Sequence, residues 1–337
     1  MCIIHKNYSL KKHNSFGLDV YARYFIKLTD QQQVIDFIKS DLSNIRPLLI
    51  IGEGTNVLFR KDFNGLIVNP KIPGIETVKE TSQYIILRAG AGENWDSFVN
   101  FCVENNYGGI ENLSLIPGSV GACPIQNIGA YGAEVRRVVE NVEAVDIETS
   151  DIKMFSNKDC DFSYRNSIFK TSLKNKYIIS HITFRLNKTE EFITSYGSVE
   201  KELDKFPETN ILNIRSAIIN IRKSKLPDPL EIGNAGSFFI NPVVSLEQAN
   251  SIRQYYPKMP YFKVTKNEVK LSAAWLIEQS NWKGKRIGQV GTYKKQPLVI
   301  VNYGNATGNE IYNVAKKIQK SVKNNFAVDL ELEVNVI

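Results

Sequence analysis

The chain has 337 residues, 43% of them hydrophobic and 23% charged, with a net charge of +7. That length fits two or three subdomains rather than one small core, and the composition excludes a disordered chain. No apolar run approaches the ~18 residues that a membrane-spanning helix needs, so no membrane insertion is expected.

In chain order, the opening "MCIIHKNYSLKKH" has too short an apolar core for a secretory signal, and a cytoplasmic location is expected. "RPLLIIGEGTNVLF" reads as a short buried strand, Leu48 to Ile51, broken at Gly52 and Gly54 and resuming at Val57. "GLIVNP" and "YIILRAGAG" are further strands. "ENWDSFVNFCVENNYGG" is a helix with Trp95, Phe98, Val99 and Cys102 on one face, stopped by the pair Gly108-Gly109. Periodicity then fails over the 21 residues from Asn112 to Gly132. Loops this long inside a compact domain are usually functional. "VVENVEAVDI" and "YIISHITFRL" resume a strand pattern, and a boundary falls near "KLPDP". "IYNVAKKIQKSV" sets Ile311, Val314, Ala315, Ile318 and Val322 on one helical stripe. The closing "VDLELEVNVI" alternates as a terminal strand, with Glu331 and Glu333 on its polar face. Cys2, Cys102, Cys123 and Cys160 are scattered without metal-ligand or disulfide spacing, and reduced thiols are expected. Lys and Arg are spread along the chain, so the basic excess suits a small polyanionic ligand as well as a nucleic acid.

Several stretches carry chemistry. Gly52, Glu53, Gly54, Thr55 and Asn56 sit where a strand ends, and glycines there let backbone N–H groups face a phosphate. The motif matches neither the dinucleotide fingerprint nor a Walker loop, and a tight turn is the competing reading. The long loop adds a second glycine-rich element without any Lys or Arg: Pro117, Gly118, Ser119, Gly121, Ala122, Gln126, Asn127, Gly129, Ala130 and Gly132. Two such elements in one half favour a bulky phosphorylated cofactor held by backbone and amide groups. "FSYRNSIFK" offers Arg165, a permanent cation among aromatics and suited to a carboxylate. "GNAGSFFINPVV" places one hydroxyl, Ser237, between a glycine turn and two phenylalanines that need no serine. The three histidines have no triad context and there is no nucleophile elbow, so Ser237 suits proton donation better than hydrolytic attack.

"LIIGEGTNVL", "GAGENW", "NLSLIPGSVGACPIQNIGAYG", "FSYRNSIFK", "RKSKLPDP", "GNAGSFFINPVV", "AAWLIEQ" and "LELEV" follow one another as in the UDP-N-acetylenolpyruvoylglucosamine reductase family, which the chain resembles from Asn14 to its end. The resemblance implies an α+β fold. A PCMH/vanillyl-alcohol-oxidase-type FAD-binding domain of two α+β subdomains, 1–70 and 71–220, precedes a substrate domain, 221–337. It implies noncovalent FAD, NADPH as hydride donor, and reduction of UDP-N-acetylglucosamine enolpyruvate to UDP-N-acetylmuramate in peptidoglycan synthesis. Hydride passes from flavin N5 to C3, and a proton from Ser237 to C2. Arg165 and Glu333 match the pair around the substrate carboxylate. Tyr131, Tyr196, Lys225, Asn241 and Gln296 match substrate-binding positions, Tyr196 on the loop of the family's longer form. The residues of 52–56 and of the long loop match the FAD-binding positions.

One departure is that Asn335 stands where the family commonly has Arg. A monomer without a nucleic-acid partner is expected. The alternatives are a flavin oxidase of the same fold acting on a sugar or alcohol, and a basic nucleic-acid-binding protein. No anchoring motif surrounds His13, which weighs against covalent flavin.

Overall fold

The computed structural model describes residues 3–189 and 191–337, so Cys2 lies outside the described residues. The chain divides into two compact units. The first takes the residues up to Tyr8, then 21–54 and 64–224; the second takes 9–20, 55–63 and 225–337. The division after Ser224 falls at the "KLPDP" segment, while two short stretches from the N-terminal quarter belong to the second unit.

In the first unit a four-stranded sheet is ordered Ile4–Ser9, Tyr21–Leu28, Phe63–Pro70, Leu48–Ile50. Helix α1, Gln31–Lys39, buries Val34, Phe37 and Ile38 against it, the spacing that puts one stripe inward. Asp30 caps α1 by accepting from the Gln33 amide at 2.8 Å. A five-stranded antiparallel sheet follows, ordered Ile152–Ser156, Val139–Asp146, Tyr177–Asn187, Tyr84–Gly90, Ile75–Glu80. Helix α2, Trp95–Glu104, packs its expected face into the core of this sheet, with Trp95, Phe98, Val99 and Cys102 all buried. It ends earlier than the glycine pair suggests. Asn106 adopts the left-handed conformation that closes a helix, so the chain has already turned before Gly108. Helices α3, Gly197–Leu203, and α4, Ile211–Lys225, share a core of Val199, Leu203, Ile214, Ala217, Ile218 and Ile221. Cys102, Cys123 and Cys160 are buried thiols, and burial pushes Cys160 up to about 12.

The second unit holds a four-stranded sheet ordered Gly233–Ser237, Val299–Asn302, Val290–Thr292, Arg286–Ile287, and a three-stranded sheet of Val243–Ser245, Glu268–Leu271 and Tyr261–Lys263. Helices α5, Leu246–Tyr255, α6, Ala273–Gln279, and α7, Gly308–Phe326, accompany them. Helix α7 opens on a capping box between Thr307 and Glu310 and buries the whole expected stripe from Ile311 to Val322. The C-terminus keeps its alternation, since Val328, Leu330 and Val334 are buried while Asp329 and Glu331 are exposed. It is not one continuous strand. Leu332 makes an isolated bridge to Phe239, and only Asn335–Val336 forms a strand, parallel to Val57–Leu58. The segment after α7 therefore crosses two different neighbours in turn, Phe239 and then Val57–Leu58, instead of pairing along one. No helix among the described residues is long and apolar enough to cross a membrane.

A polar cluster ties α1 to the five-stranded sheet. Glu143 Oε1 accepts from Gln31 Nε2 at 2.6 Å and from Arg88 Nη2 at 2.8 Å, and lies 3.0 Å from His181 Nδ1. The His181 hydrogen bond and the Arg88 guanidinium, against the opposing effect of burial, hold the Glu143 carboxyl at about 2. A depressed carboxyl stabilises the fold above its ordinary range, and that contribution disappears as pH falls toward the folded value. Glu143→Gln should therefore lower the melting temperature at neutral pH. The gap to the parent should close between about pH 4.5 and pH 2, and a gap independent of pH over that window would refute the assignment.

Candidate active site

The first glycine-rich turn and the long loop are brought side by side in the first unit. A Cβ on Gly52 would collide with Ser119 Oγ and come within 3.7 Å of the Ala122 Cβ. A Cβ on Gly121 would fall 2.6 Å from the Ala91 Cβ, and its amide donates to Ala91 O at 2.9 Å. The loop also runs along the start of α2, where the Trp95 amide donates to Gly118 O at 2.9 Å and the Val120 amide to Glu93 O at 2.9 Å. Among the described residues, no backbone carbonyl accepts from the amides of Glu53, Gly54, Gly118 or Ser119. Gly54 has φ +68, the Glu53 carboxylate pairs with Lys71, and Asn69 Nδ2 holds the Ile51 and Gly52 carbonyls at 2.8 and 2.9 Å. Glycines without side chains and amides unclaimed by the backbone fit a phosphorylated cofactor such as FAD. Thr55 and Asn56 begin the second unit, where Asn56 Nδ2 donates to Glu333 O at 3.1 Å.

The far end of the loop is a hairpin. Gly129–Ala130 pairs with Ala133–Glu134, and the two residues between, Tyr131 and Gly132, have φ +48 and +84. Two positive values at a two-residue connection are those of a type I′ turn. Tyr131, with no glycine freedom, sits at the tip in a conformation that few side chains tolerate. Beside the hairpin, Ser163 and Asn166 exchange backbone hydrogen bonds of 3.1 Å across a turn whose last central residue, Arg165, has φ +54. Arg165 Nη2 donates to Gly129 O at 2.8 Å, and its guanidinium lies 5.6 Å from the centre of the Tyr164 ring. Asn127 is fully buried and its amide is engaged by Glu134, Ser163 and Arg136, so it braces the loop against the Arg165 turn.

In the second unit the glycines around Ser237 acquire a reason. Asn234 pairs with Val301 and Ser237 with Val299, so the serine strand carries one extra residue, a bulge with Gly236 at φ +67. The Asn234 side chain accepts the Gly236 amide at 2.9 Å and fixes the bulge. Gly233 passes so close to Phe16 that a Cβ would strike the Phe16 backbone. Phe238 and Phe239 are both buried, which anchors the strand on either side and leaves Ser237 half-buried. The C-terminal segment runs beside them: the Glu333 amide donates to Phe238 O at 2.9 Å and the Ile240 amide to Glu331 O at 3.0 Å. Ser237 and Glu333 thus lie on neighbouring stretches of one unit, while Arg165 belongs to the other. Glu333 is half-buried where Glu331 is exposed.

The remaining expected residues are dispersed. Tyr196 precedes α3 and meets Tyr131 edge to face, ring centres 5.7 Å apart. Lys225 ends α4 and is exposed, as the Pro227 that follows forbids another turn. Asn241 Oδ1 accepts the Ala273 amide at 2.9 Å at the start of α6, and Gln296 closes a turn in which the Val299 amide donates to its carbonyl at 3.0 Å. Asp96, Arg215 and Arg222 escaped the sequence reading. Arg215 forks onto Asp96 at 2.7 and 3.0 Å, and the Arg222 Nε is buried without a hydrogen-bond partner among the described residues. Against burial, Arg215 and the Leu115 amide hold the Asp96 carboxyl low, whereas burial pushes Tyr131 up. The available signal was the spacing of two arginines seven residues apart beside an isoleucine stripe on α4.

Residues 228–337 match the family model described as UDP-N-acetylenolpyruvoylglucosamine reductase, C-terminal domain, and residues 22–154 match one described as an FAD binding domain. Curated relatives named UDP-N-acetylenolpyruvoylglucosamine reductase include that of Amoebophilus asiaticus, 49% identical over 336 residues and 99% of both chains. That of Flavobacterium johnsoniae is 43% identical over 337 residues, 99% of both. That of Pseudomonas putida is 42% identical over 330 residues, 97% of both. Among solved structures, the UDP-N-acetylenolpyruvylglucosamine reductase of Thermus caldophilus aligns with TM-score 0.68 at 19% identity, covering 100% of this chain and 98% of that one. The 4-ethylphenol oxidase of Gulosibacter chungangensis aligns with TM-score 0.54 at 9% identity, covering 97% and 84%. At such identities these two structures report a shared fold alone.

The close approach of Gly121 to Ala91 predicts a cost that chemical denaturation can read. Gly121→Ala should destabilise the fold by about 1–3 kcal/mol through overpacking. Gly197→Ala, where a Cβ meets nothing within 4 Å, should stay near the parent. Equal midpoints for the two variants would contradict this packing.

Proposed function

The chain belongs to the UDP-N-acetylenolpyruvoylglucosamine reductase family, and from that membership we propose how its own residues divide the reaction. It is a flavoprotein oxidoreductase that reduces UDP-N-acetylglucosamine enolpyruvate to UDP-N-acetylmuramate for peptidoglycan synthesis. Bound FAD supplies the chemistry of hydride transfer, from NADPH to C3 of the enolpyruvyl group. The turn at Gly52–Asn56 and the loop from Ser114 to Gly132 hold it, through backbone amides and without a cationic side chain.

Ser237 donates the proton that C2 requires once hydride has reached C3. The Gly236 bulge carries this assignment: it re-aims one hydroxyl just ahead of two buried phenylalanines, and nothing in the packing calls for a serine there. Before that proton arrives, negative charge develops from C2 toward the substrate carboxylate. Arg165 opposes it with a charge that cannot be titrated away, on a turn whose left-handed backbone is a strain typical of functional positions. Glu333 acts beside Ser237, its backbone held to the phenylalanine strand. Tyr131, Tyr196, Lys225, Asn241 and Gln296 bind the nucleotide sugar. The nucleotide-linked substrate supports a cytoplasmic location.

Two variants test the division. Ser237→Ala should leave anaerobic bleaching of the flavin by NADPH near normal. Its reoxidation by the enolpyruvyl substrate should slow by about 10²- to 10⁴-fold, the usual worth of a general acid. Equal losses in both half-reactions would assign Ser237 a role in shaping the pocket instead. Arg165→Lys should raise the barrier of the second half-reaction by about 2 kcal/mol, since an ammonium replaces the guanidinium fork by a single charge-assisted bond. A parental rate for that variant would remove Arg165 from the mechanism.

A further inference from the structure

Residues 14–16 come early in the chain yet belong to the second unit, which carries Ser237 and Glu333. Their backbone is held on both sides of Ser15. Asn14 is buried, its Nδ2 donating to the Leu10 and Leu18 carbonyls at 2.8 and 3.0 Å while its Oδ1 accepts the Leu18 amide at 2.9 Å. Asn302 Nδ2 donates to Phe16 O at 2.9 Å, and Gly233 packs on the Phe16 backbone. Between these anchors, half-buried Ser15 meets two partners at once. Its carbonyl accepts the Asn234 amide at 2.9 Å, and its Oγ donates to Thr55 O at 3.2 Å.

Each partner leads to one member of the pair. Asn234 Oδ1 accepts the Gly236 amide at 2.9 Å, which fixes the bulge immediately before Ser237. Thr55 is joined to Asn56, whose Nδ2 donates to Glu333 O at 3.1 Å. The Asn56 carbonyl in turn accepts the Asn335 amide at 3.1 Å and its Nδ2 at 3.2 Å. The Glu333 amide donates to Phe238 O at 2.9 Å, next to Ser237. The links therefore close a ring that leaves Ser237 through Asn234, crosses at Ser15, and returns through Asn56 and Glu333.

We propose that Ser15 is a positioning residue: its hydroxyl joins the arm that aims Ser237 to the arm that holds Glu333, and so sets the spacing of the two. The hydroxyl hydrogen is given to Thr55 O, so Ser15 acts through the two arms and not on the substrate itself. Two groups that serve one substrate must keep their productive geometry to within about 0.5 Å. A segment braced on both sides, by Asn14 and by Asn302, is a rigid spacer for that purpose. The inference rests on the reading that Ser237 donates the proton and Glu333 acts beside it.

The test compares the two half-reactions of the holoenzyme. Ser15→Ala keeps the backbone contact with Asn234 and removes the contact with Thr55. It should leave anaerobic bleaching by NADPH within about twofold of the parent and slow reoxidation by the enolpyruvyl substrate about 3- to 10-fold, the worth of one hydrogen bond. Ser15→Thr, which keeps the hydroxyl, should reoxidise close to the parental rate. The loss should also vanish where the positioned group is already gone: Ser237→Ala with Ser15→Ala should reoxidise as slowly as Ser237→Ala alone. A change that only weakened the fold would add to the loss instead. Equal slowing of both half-reactions by Ser15→Ala, or a Ser15→Thr variant as slow as Ser15→Ala, would overturn the positioning role. So would a parental reoxidation rate for Ser15→Ala beside a slow Ser237→Ala, which would leave the proton donor in place. If Ser237→Ala itself reoxidises at the parental rate, the reading beneath the inference fails and the inference with it.

Discussion

The cofactor half of this protein depends on backbones passing closer than side chains allow. Gly121 lies against Ala91 and Gly52 against Ser119, and in each case a Cβ would meet atoms already in place. This contact brings the turn after the strand at Leu48–Ile50 beside a loop that begins more than sixty residues later. It also leaves amides of both elements without backbone acceptors. A loop without lysine or arginine suits a pyrophosphate through oriented N–H groups. The missing side chains are therefore the functional feature. Their cost is paid by braces at the edges: Asn69, Asn127, Asn112 and Arg215 of α4.

The second unit solves a different problem with related means. The proton donor proposed at Ser237 needs only one hydroxyl, but its direction must be fixed. The bulge at Gly236 turns the strand, Asn234 locks the bulge, and two buried phenylalanines keep the following residues from slipping. Slippage by one residue would reverse every side chain. The Glu333 segment rides on the same strand by backbone hydrogen bonds, so its placement follows from that of the serine strand.

What could be read in advance was local. The inward face of α2, the stripe of α7 and the alternation after Phe326 follow from periodicity, and the structure keeps each of them. The oddity of Ser237 was visible because a serine between a glycine turn and two phenylalanines satisfies neither neighbour. Other features were hidden for physical reasons. The end of α2 was set by Asn106 and not by the more conspicuous glycine pair, because asparagine also accepts left-handed backbone. The hairpin at Tyr131-Gly132 was masked because its first turn position carries a tyrosine in place of the usual Asn or Gly. Asp96 and Arg215 are ordinary helix-surface residues in sequence. Only the fold, by laying α4 across α2, turns them into a pair. The C-terminal segment reads as one strand because alternation reports which side is buried, not which neighbour is paired.

That C-terminal segment has a consequence for the order in which the protein takes shape. Val57–Leu58 finds its parallel partner in Asn335–Val336, and the amides of Arg60 and Ile337 complete the exchange with Ile337 and Leu58. Nearly the whole chain separates the two strands. On the ribosome, residues 55–63 emerge early and wait without their partner until Asn335 and Val336 have been made. The unit that carries Ser237 and Glu333 is closed only at that point, so a nascent chain holds its glycine-rich loop well before the strand at Val57–Leu58 is paired.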